Sequence, residues 1–140
     1  MGTSETRPTV RRLELALLAE RYAIARLPAN DPVPGWARRG ALTSITLTQD
    51  ELSIVCREAD VPAEVHQEPG WRAFKVAGPM DLELTGILSS LAGPLAEAEI
   101  GIFAVSTFDT DYLLVKDDRV AEAADVLGGA GHHVDMGNGA

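Results

Sequence analysis

The 140-residue chain contains a single cysteine, Cys56, and only 5% of its residues are aromatic. One cysteine excludes an intrachain disulfide framework and a cysteine-based zinc site. Because Cys56 lies in an apolar segment, we expect a buried structural thiol rather than a nucleophile. With so few aromatic residues, the core must be built from Leu, Ile, Val and Ala, and the 46% hydrophobic content is enough for one.

Basic charge is also scarce, since 12 Lys and Arg residues stand against 21 Asp and Glu residues. The resulting net charge of −9 repels nucleic acids and anionic membranes. No apolar run approaches the roughly 20 residues that a membrane-spanning helix needs, and no secretory leader pattern is present. We therefore expect a soluble, cytoplasmic protein with neither a nucleic acid nor a membrane as its partner.

The first stretch of the chain, residues 13–66, has mostly strand-forming patterns. It follows a polar segment, residues 1–12, that we expect to be a disordered arm, and residues 136–140 resemble a flexible tail. The elements predicted in this stretch are strands at 13–18, 22–27, 42–48 and 52–56, a turn at 19–21, a loop at 28–35 and one helical turn at 61–65.

The second stretch, residues 70–135, alternates between strand and helix patterns. We predict one helix through Leu84 and Leu95, with Pro94 removing the partner of the Ser90 carbonyl and kinking the helix there. The predicted order is strand 71–76, this helix, strand 100–105 in a central position, strand 112–115, a helix from Asp117-Asp118 to Gly128-Gly129, and strand 132–134. This is the α+β, ferredoxin-like βαββαβ arrangement.

A polar cluster separates two apolar strand patterns in the second stretch. It consists of Ser106, Thr107, Phe108, Asp109, Thr110 and Asp111. Asp and Thr stabilise turns locally, so one reading is a hydrogen-bonded turn. Two carboxylates, three hydroxyls and an inserted aromatic residue also suit a binding site.

A second candidate segment is the loop Gly78, Pro79, Met80 and Asp81, which precedes the first helix. A helix start offers unpaired N–H groups to a carboxylate or phosphate. The acidic residues nearby disfavour a phosphate and favour a ligand that also carries an ammonium group, such as a free amino acid. The alternative is that Asp81 only caps the helix. Gly86, placed inside the helix by this pattern, suggests close approach of another helix, a subunit or a ligand.

Catalytic and metal-binding readings find little support. Asp109 and Asp111 have no His, Lys or Cys beside them with which to form an acid–base set. The three histidines, His66, His132 and His133, lack metal-ligand spacing, and adjacent strand residues point to opposite faces. We therefore expect no catalytic residues, no metal and no cofactor.

Residues 71–96 and 100–116 together resemble small bacterial ACT-domain proteins, which are related to the ACT modules of aspartate kinases and of cytosolic arginine sensors. Residues 41–55 match as well, and the resemblance covers about 13–135. It implies tandem ferredoxin-like ACT modules, at 13–66 and 70–135, of which the first is degenerate and strand-rich. It also implies a homodimer.

The resemblance further implies a non-catalytic regulatory sensor that binds a free amino acid at a module or subunit interface. By position, it assigns ligand contacts to the 78–81 loop, to Ser106, Thr107 and Phe108, and to Asp109 or Asp111. The acids would favour a cationic amino acid, and a regulated partner enzyme is unknown. The alternative is an ACT-fold dimerisation and interaction module without a ligand.

Overall fold

The computed structural model describes residues 12–77 and 86–137, and these residues form one mixed sheet with helices on one side. The strands are β1 (Glu14–Leu27), β2 (Ser44–Leu47), β3 (Leu52–Arg57), β4 (Gln67–Val76), β5 (Phe103–Ser106), β6 (Asp111–Lys116) and β7 (His133–Asp135). The helices are α1 (Ile87–Glu97) and α2 (Val120–Gly129). No helix within the described ranges is long and apolar enough to cross a membrane.

Strand β1 organises the sheet, whose order is β2-β3-β1-β4-β6-β5. Strand β4 pairs antiparallel with one edge of β1. The other edge of β1 pairs antiparallel with β3 in its C-terminal part and parallel with β7 in its N-terminal part. The predicted turn at 19–21 is therefore wrong, because β1 continues through it. The register with β4 shifts between Leu17 and Arg21, and the Arg72 guanidinium donates to the Leu18 carbonyl at 3.1 Å.

The second stretch has the predicted order of strand, helix, strand, strand, helix and strand, and the α+β ferredoxin-like fold is confirmed. Its last strand, however, pairs with β1 instead of β4, so β1 lies between them. The central position predicted for strand 100–105 is wrong. In the described part of the chain, β5 pairs only with β6 and lies at the sheet edge. The division into two modules stays a prediction.

Two layers of apolar side chains enclose the sheet. On the helix-covered face, aliphatic residues of both helices pack on β1, β4 and β6, as Leu91 and Leu127 do around Phe74. On the opposite face, Trp71 meets Phe103 edge-on, with ring centroids 6.3 Å apart. The aliphatic core predicted from composition is thus present, and the cluster on the face without helices contains four aromatic residues, Tyr22, Trp71, Phe103 and Tyr112.

The predicted hairpin of the first stretch is confirmed as β2 and β3. Thr48 closes its turn, since its N–H donates to the Glu51 carbonyl at 2.9 Å and its hydroxyl accepts from the Asp50 and Glu51 amides. The helical turn predicted at 61–65 is wrong. The 3₁₀ turn lies earlier, at Glu58–Asp60, and Pro62 only begins a tight turn.

Helix α1 continues through Pro94, which cannot donate to the Ser90 carbonyl. His132 takes this role, because its Nε2 lies 3.3 Å from the Ser90 oxygen. Its Nδ1 accepts a hydrogen bond from the Leu13 N–H at 3.1 Å. The two contacts require the neutral imidazole with its proton on Nε2. His132 therefore joins β1, α1 and the start of β7, while His133 is exposed on the other face, as predicted.

We expect His132 and Pro94 to be energetically coupled. His132→Leu should lower the free energy of unfolding by about 2 kcal/mol, because it leaves two partly buried backbone groups unpaired. In a Pro94→Ala background the restored N–H can donate to the Ser90 carbonyl, so the same change should cost about 1 kcal/mol less. Urea denaturation of the four proteins measures the coupling, and strict additivity would contradict it.

The buried Tyr22 hydroxyl and Cys56 thiol should make the protein less stable at high pH. Burial raises the pKa of Tyr22 from 10.0 to about 12 and that of Cys56 from 9.0 to about 11. The folded protein thus holds these protons more tightly than the unfolded chain. For each residue, the stabilisation of the folded state is complete below the pKa of the unfolded chain. It is lost as the pH rises through the higher pKa of the folded protein.

We therefore expect the free energy of unfolding to fall between pH 9 and pH 12, in keeping with these two pKa pairs. Tyr22→Phe should remove the Tyr22 contribution, which falls between pH 10 and pH 12, and leave the Cys56 contribution, which falls between pH 9 and pH 11. Denaturant titrations across this interval measure the slope, and Tyr112→Phe controls for loss of a hydroxyl on the same face. A slope unchanged by Tyr22→Phe would assign the fall to other groups.

Candidate functional site

The polar cluster predicted from the sequence forms the turn between β5 and β6. Ser106 and Asp111 are opposite each other in the strand register, and the Ser106 hydroxyl donates to Asp111 Oδ1 at 2.6 Å. Both side chains lie on the helix-covered face, because they alternate with Val105 and Tyr112, which pack on the other face. Asp111 is therefore positioned by a regular strand pair and not by a loop.

Two threonines hold the turn in place. The Thr107 N–H donates to the Thr110 carbonyl at 2.8 Å, and the Thr107 hydroxyl accepts from the Thr110 N–H at 3.2 Å. Thr110 is buried, and its hydroxyl donates to the Val76 carbonyl at 2.5 Å. Thr107 and Thr110 thus stabilise a hydrogen-bonded turn, which was one of the two interpretations of this cluster from the sequence. The anchoring role of Thr110 was missed, because a hydroxyl's partner on another strand has no signal in local sequence.

The tip of the turn consists of Phe108 and Asp109, which are both exposed. Phe108 is 83% exposed and contributes nothing to the core. The two carboxylates of the cluster therefore differ: Asp111 is partly buried and bonded to Ser106, whereas Asp109 projects at the tip.

The predicted loop residues Gly78, Pro79, Met80 and Asp81 lie outside the described residues. The structure describes the chain on both sides of them, at Ala77 and Gly86. Because Thr110 binds the Val76 carbonyl, the polar turn is adjacent to the point where β4 ends.

Gly86 lies before α1 and not inside it, which corrects the predicted position. Its φ of 83° is in the left-handed region that favours glycine. Backbone conformation therefore explains this glycine, and no close approach of another group is needed. Helix α1 begins at Ile87. Its first turn is linked to the end of β4, because His132 contacts both Ser90 and Leu13, and the neighbouring Glu14 carbonyl accepts from the Ala77 N–H.

The described side chains of this region offer hydroxyl and carboxylate groups, at Ser106, Thr107, Asp109 and Asp111. In the described residues, Asp111 Oδ2 receives no hydrogen bond, so one oxygen of a held carboxylate remains available to a cationic group. No group of three or more His, Cys, Asp or Glu residues within 12–77 and 86–137 is arranged to hold a metal ion.

Comparison with protein families gives two matches that follow the two stretches of the sequence. A model described as an ACT domain matches residues 67–128. A model of an N-terminal domain matches residues 20–64.

A crystal structure of the Agobacterium tumefaciens protein Atu0741 is similar over nearly the whole chain. It is 45% identical in sequence, with a TM-score of 0.87, and the match covers 92% of this chain and 96% of that protein. The human cytosolic arginine sensor for mTORC1 subunit 1 is 38% identical over 58 residues, which are 41% of this chain and 18% of the sensor. The matched part thus spans less than a fifth of the animal protein.

The regulatory subunit of aspartate kinase from Thermus thermophilus has the same fold. Its TM-score is 0.59 at 12% identity, and the match covers 83% of this chain and 96% of the subunit. At this identity the likeness concerns the fold alone. Together with the ACT model over 67–128, these matches confirm the resemblance found in the sequence. The match to the ACT-domain model covers residues 67–128, somewhat less than half of the chain.

Proposed function

We propose that this protein is a non-catalytic regulatory sensor that binds a free amino acid beside the β5–β6 turn. The observation that carries the proposal is the Ser106–Asp111 pair, which holds a carboxylate in strand register next to the end of β4. The match of residues 67–128 to the ACT-domain model and the similarity to an arginine sensor support the regulatory role.

The proposed ligand is a cationic amino acid such as arginine or lysine. Asp111 Oδ2 would accept hydrogen bonds from its cationic group, with Asp109 adding negative charge nearby. The ligand carboxylate would lie at the 78–81 loop and the first amides of α1, where the helix dipole favours an anion. Ser106, Thr107 and Phe108 would form the wall between these two ends.

The site is proposed to lie at an interface between modules or subunits, with a homodimer supplying the second wall. The exposure of Phe108 supports this arrangement, because an aromatic side chain at the tip of a turn can cover a ligand held by another surface. Tandem modules at 13–66 and 70–135, and function in the cytoplasm, belong to the same proposal.

Calorimetric titration with each proteinogenic amino acid tests the proposal. We expect saturable heat with a basic amino acid and none with aspartate or glutamate. Argininamide, which lacks the free carboxylate, should bind more weakly than arginine if the start of α1 holds the anion. No saturable heat with any amino acid would contradict the sensor function.

The second candidate is an interaction module without a ligand, which regulates a partner enzyme. It is favoured by the hydrogen bonds of Thr107 and Thr110, which satisfy the turn internally. Here Phe108 would contact the partner directly. If an enzyme co-purifies and its affinity does not change when amino acids are added, this candidate replaces the first.

A further inference from the structure

A buried histidine links the chain segments on the two sides of the loop between β4 and α1. His132 is 8% exposed, its Nδ1 accepts from the Leu13 N–H at 3.1 Å, and its Nε2 lies 3.3 Å from the Ser90 carbonyl oxygen. The residue after Leu13 continues the connection, because the Glu14 carbonyl accepts from the Ala77 N–H at 2.8 Å. Through His132, the first turn of α1 is therefore linked to the end of β4.

The same end of β4 is also bonded to the β5–β6 turn. The Thr110 hydroxyl donates to the Val76 carbonyl at 2.5 Å, and Asp111 follows Thr110 at the start of β6. The end of β4 thus has the turn on one side and, through β1 and His132, helix α1 on the other. One series of hydrogen bonds connects the carboxylate of the candidate site with the start of α1.

The first turn of α1 depends on this contact. Pro94 has no N–H to offer the Ser90 carbonyl, and Gly86, which precedes the helix, has no side chain to cap it. The hydroxyls of Ser89 and Ser90 donate back into the same turn, at 3.2 Å and 2.7 Å. In the described part of the chain, the hydrogen bond to His132 is the only one that joins this turn to a distant segment.

We propose that His132 is a positioning residue of the amino-acid site. It holds the first amides of α1 in place for the ligand carboxylate and does not touch the ligand itself. The inference rests on the proposed function, which places that carboxylate at the start of α1. The first turn contains no acidic residue, so its own side chains do not repel an anion. Because helix amides bind an anion only when they point towards it, a displaced first turn should bind the carboxylate more weakly.

An imidazole suits this role because it presents a hydrogen-bond acceptor and a donor on its two nitrogen atoms. Leucine offers neither group, whereas the amide of glutamine offers both at a similar separation. His132→Gln should therefore keep the connection, and His132→Leu should remove it. Pro94→Ala combined with His132→Leu is the matched control for stability. Its new N–H can bond the Ser90 carbonyl within the helix, but Leu13 stays disconnected from α1.

Calorimetry with arginine and argininamide separates positioning from stability. In the wild type we expect arginine to bind about tenfold more tightly, because argininamide lacks the free carboxylate. His132→Leu should weaken arginine binding about tenfold and argininamide binding less than about twofold, since the proposed contact with Asp111 does not involve α1. His132→Gln should restore most of the preference for arginine. The Pro94→Ala, His132→Leu protein should regain stability without regaining the preference.

The possible results of this titration have distinct meanings. A wild type that binds no amino acid contradicts the proposed function, and this inference with it. A wild type that binds both ligands equally has no carboxylate contact to position, which also overturns the inference. If the wild type prefers arginine, and His132→Leu keeps that preference or loses affinity for both ligands equally, only the role of His132 is wrong.

The tautomer of His132 tests the connection without any ligand. Because Nδ1 accepts from the Leu13 N–H, two-bond proton–nitrogen NMR spectra at mildly alkaline pH should show the ring proton on Nε2. The exposed His66 and His133 are internal references in the same spectrum. A proton on Nδ1 of His132 would exclude the bond to Leu13 and overturn the inference, whatever the protein binds.

Discussion

Asp111→Asn should weaken binding of a basic amino acid about 100-fold, the loss expected when a charged hydrogen-bond partner is removed from a partly desolvated site. The amide keeps the shape of the carboxylate and can still accept from Ser106, so charge is the main change. Asp109→Asn should weaken binding about threefold or less, because Asp109 lies exposed at the tip and contributes only screened attraction. Calorimetry of the two variants against the wild type measures both effects.

The pair of variants also separates the two carboxylates that the sequence left as alternatives. Circular dichroism spectra and urea midpoints close to those of the wild type are the control for folding. Equal losses in both variants, or a larger loss with Asp109→Asn, would move the ligand contact from the strand pair to the tip of the turn.

Phe74→Ala should lower the free energy of unfolding by about 3–5 kcal/mol, because it leaves a large cavity in a packed core. Phe74 is fully buried on β4, opposite Leu17 of β1 and Leu113 of β6. The same substitution at Phe108, which is 83% exposed, should change stability by no more than about 0.5 kcal/mol. Urea denaturation followed by circular dichroism compares the two.

This comparison also tests the sheet that joins the two stretches. Because β4 pairs with β1 on one side and β6 on the other, a cavity at Phe74 should destabilise the whole sheet in one cooperative transition. Two separate transitions would mean that the stretches 13–66 and 70–135 fold independently, in conflict with the shared sheet.

The fold of the second stretch was predictable because its patterns are local. The apolar spacing from Leu91 to Leu95 and the strand of residues 112–115 each follow from periodicity within one segment. Positions within the sheet were not predictable in this way. The side-chain pattern does not record which backbone pairs with a strand, so the apolar run 100–105 looked central, whereas among the described residues β5 pairs on one side only and its Ala104 and Ser106 are exposed.

The prediction of a turn at residues 19–21, within β1, was wrong for a different reason. Polar residues at 19–21 resembled a turn, but the structure accommodates the irregularity by a register shift and by Arg72, which lies 54 residues away in sequence. At the site, the Ser106–Asp111 pairing follows from hairpin register and was within reach of the sequence. The bond from Thr110 to Val76 joins strands that only the tertiary fold brings together.

Backbone amide NMR spectra recorded during titration with arginine and lysine show both whether an amino acid binds and where it binds. If Asp111 binds the ligand, we expect saturable shifts concentrated at residues 106–111, at Ala77 and at the start of α1, and the absence of these shifts in Asp111→Asn. Saturable shifts confined to other surfaces, or spectra that no amino acid changes, would contradict it.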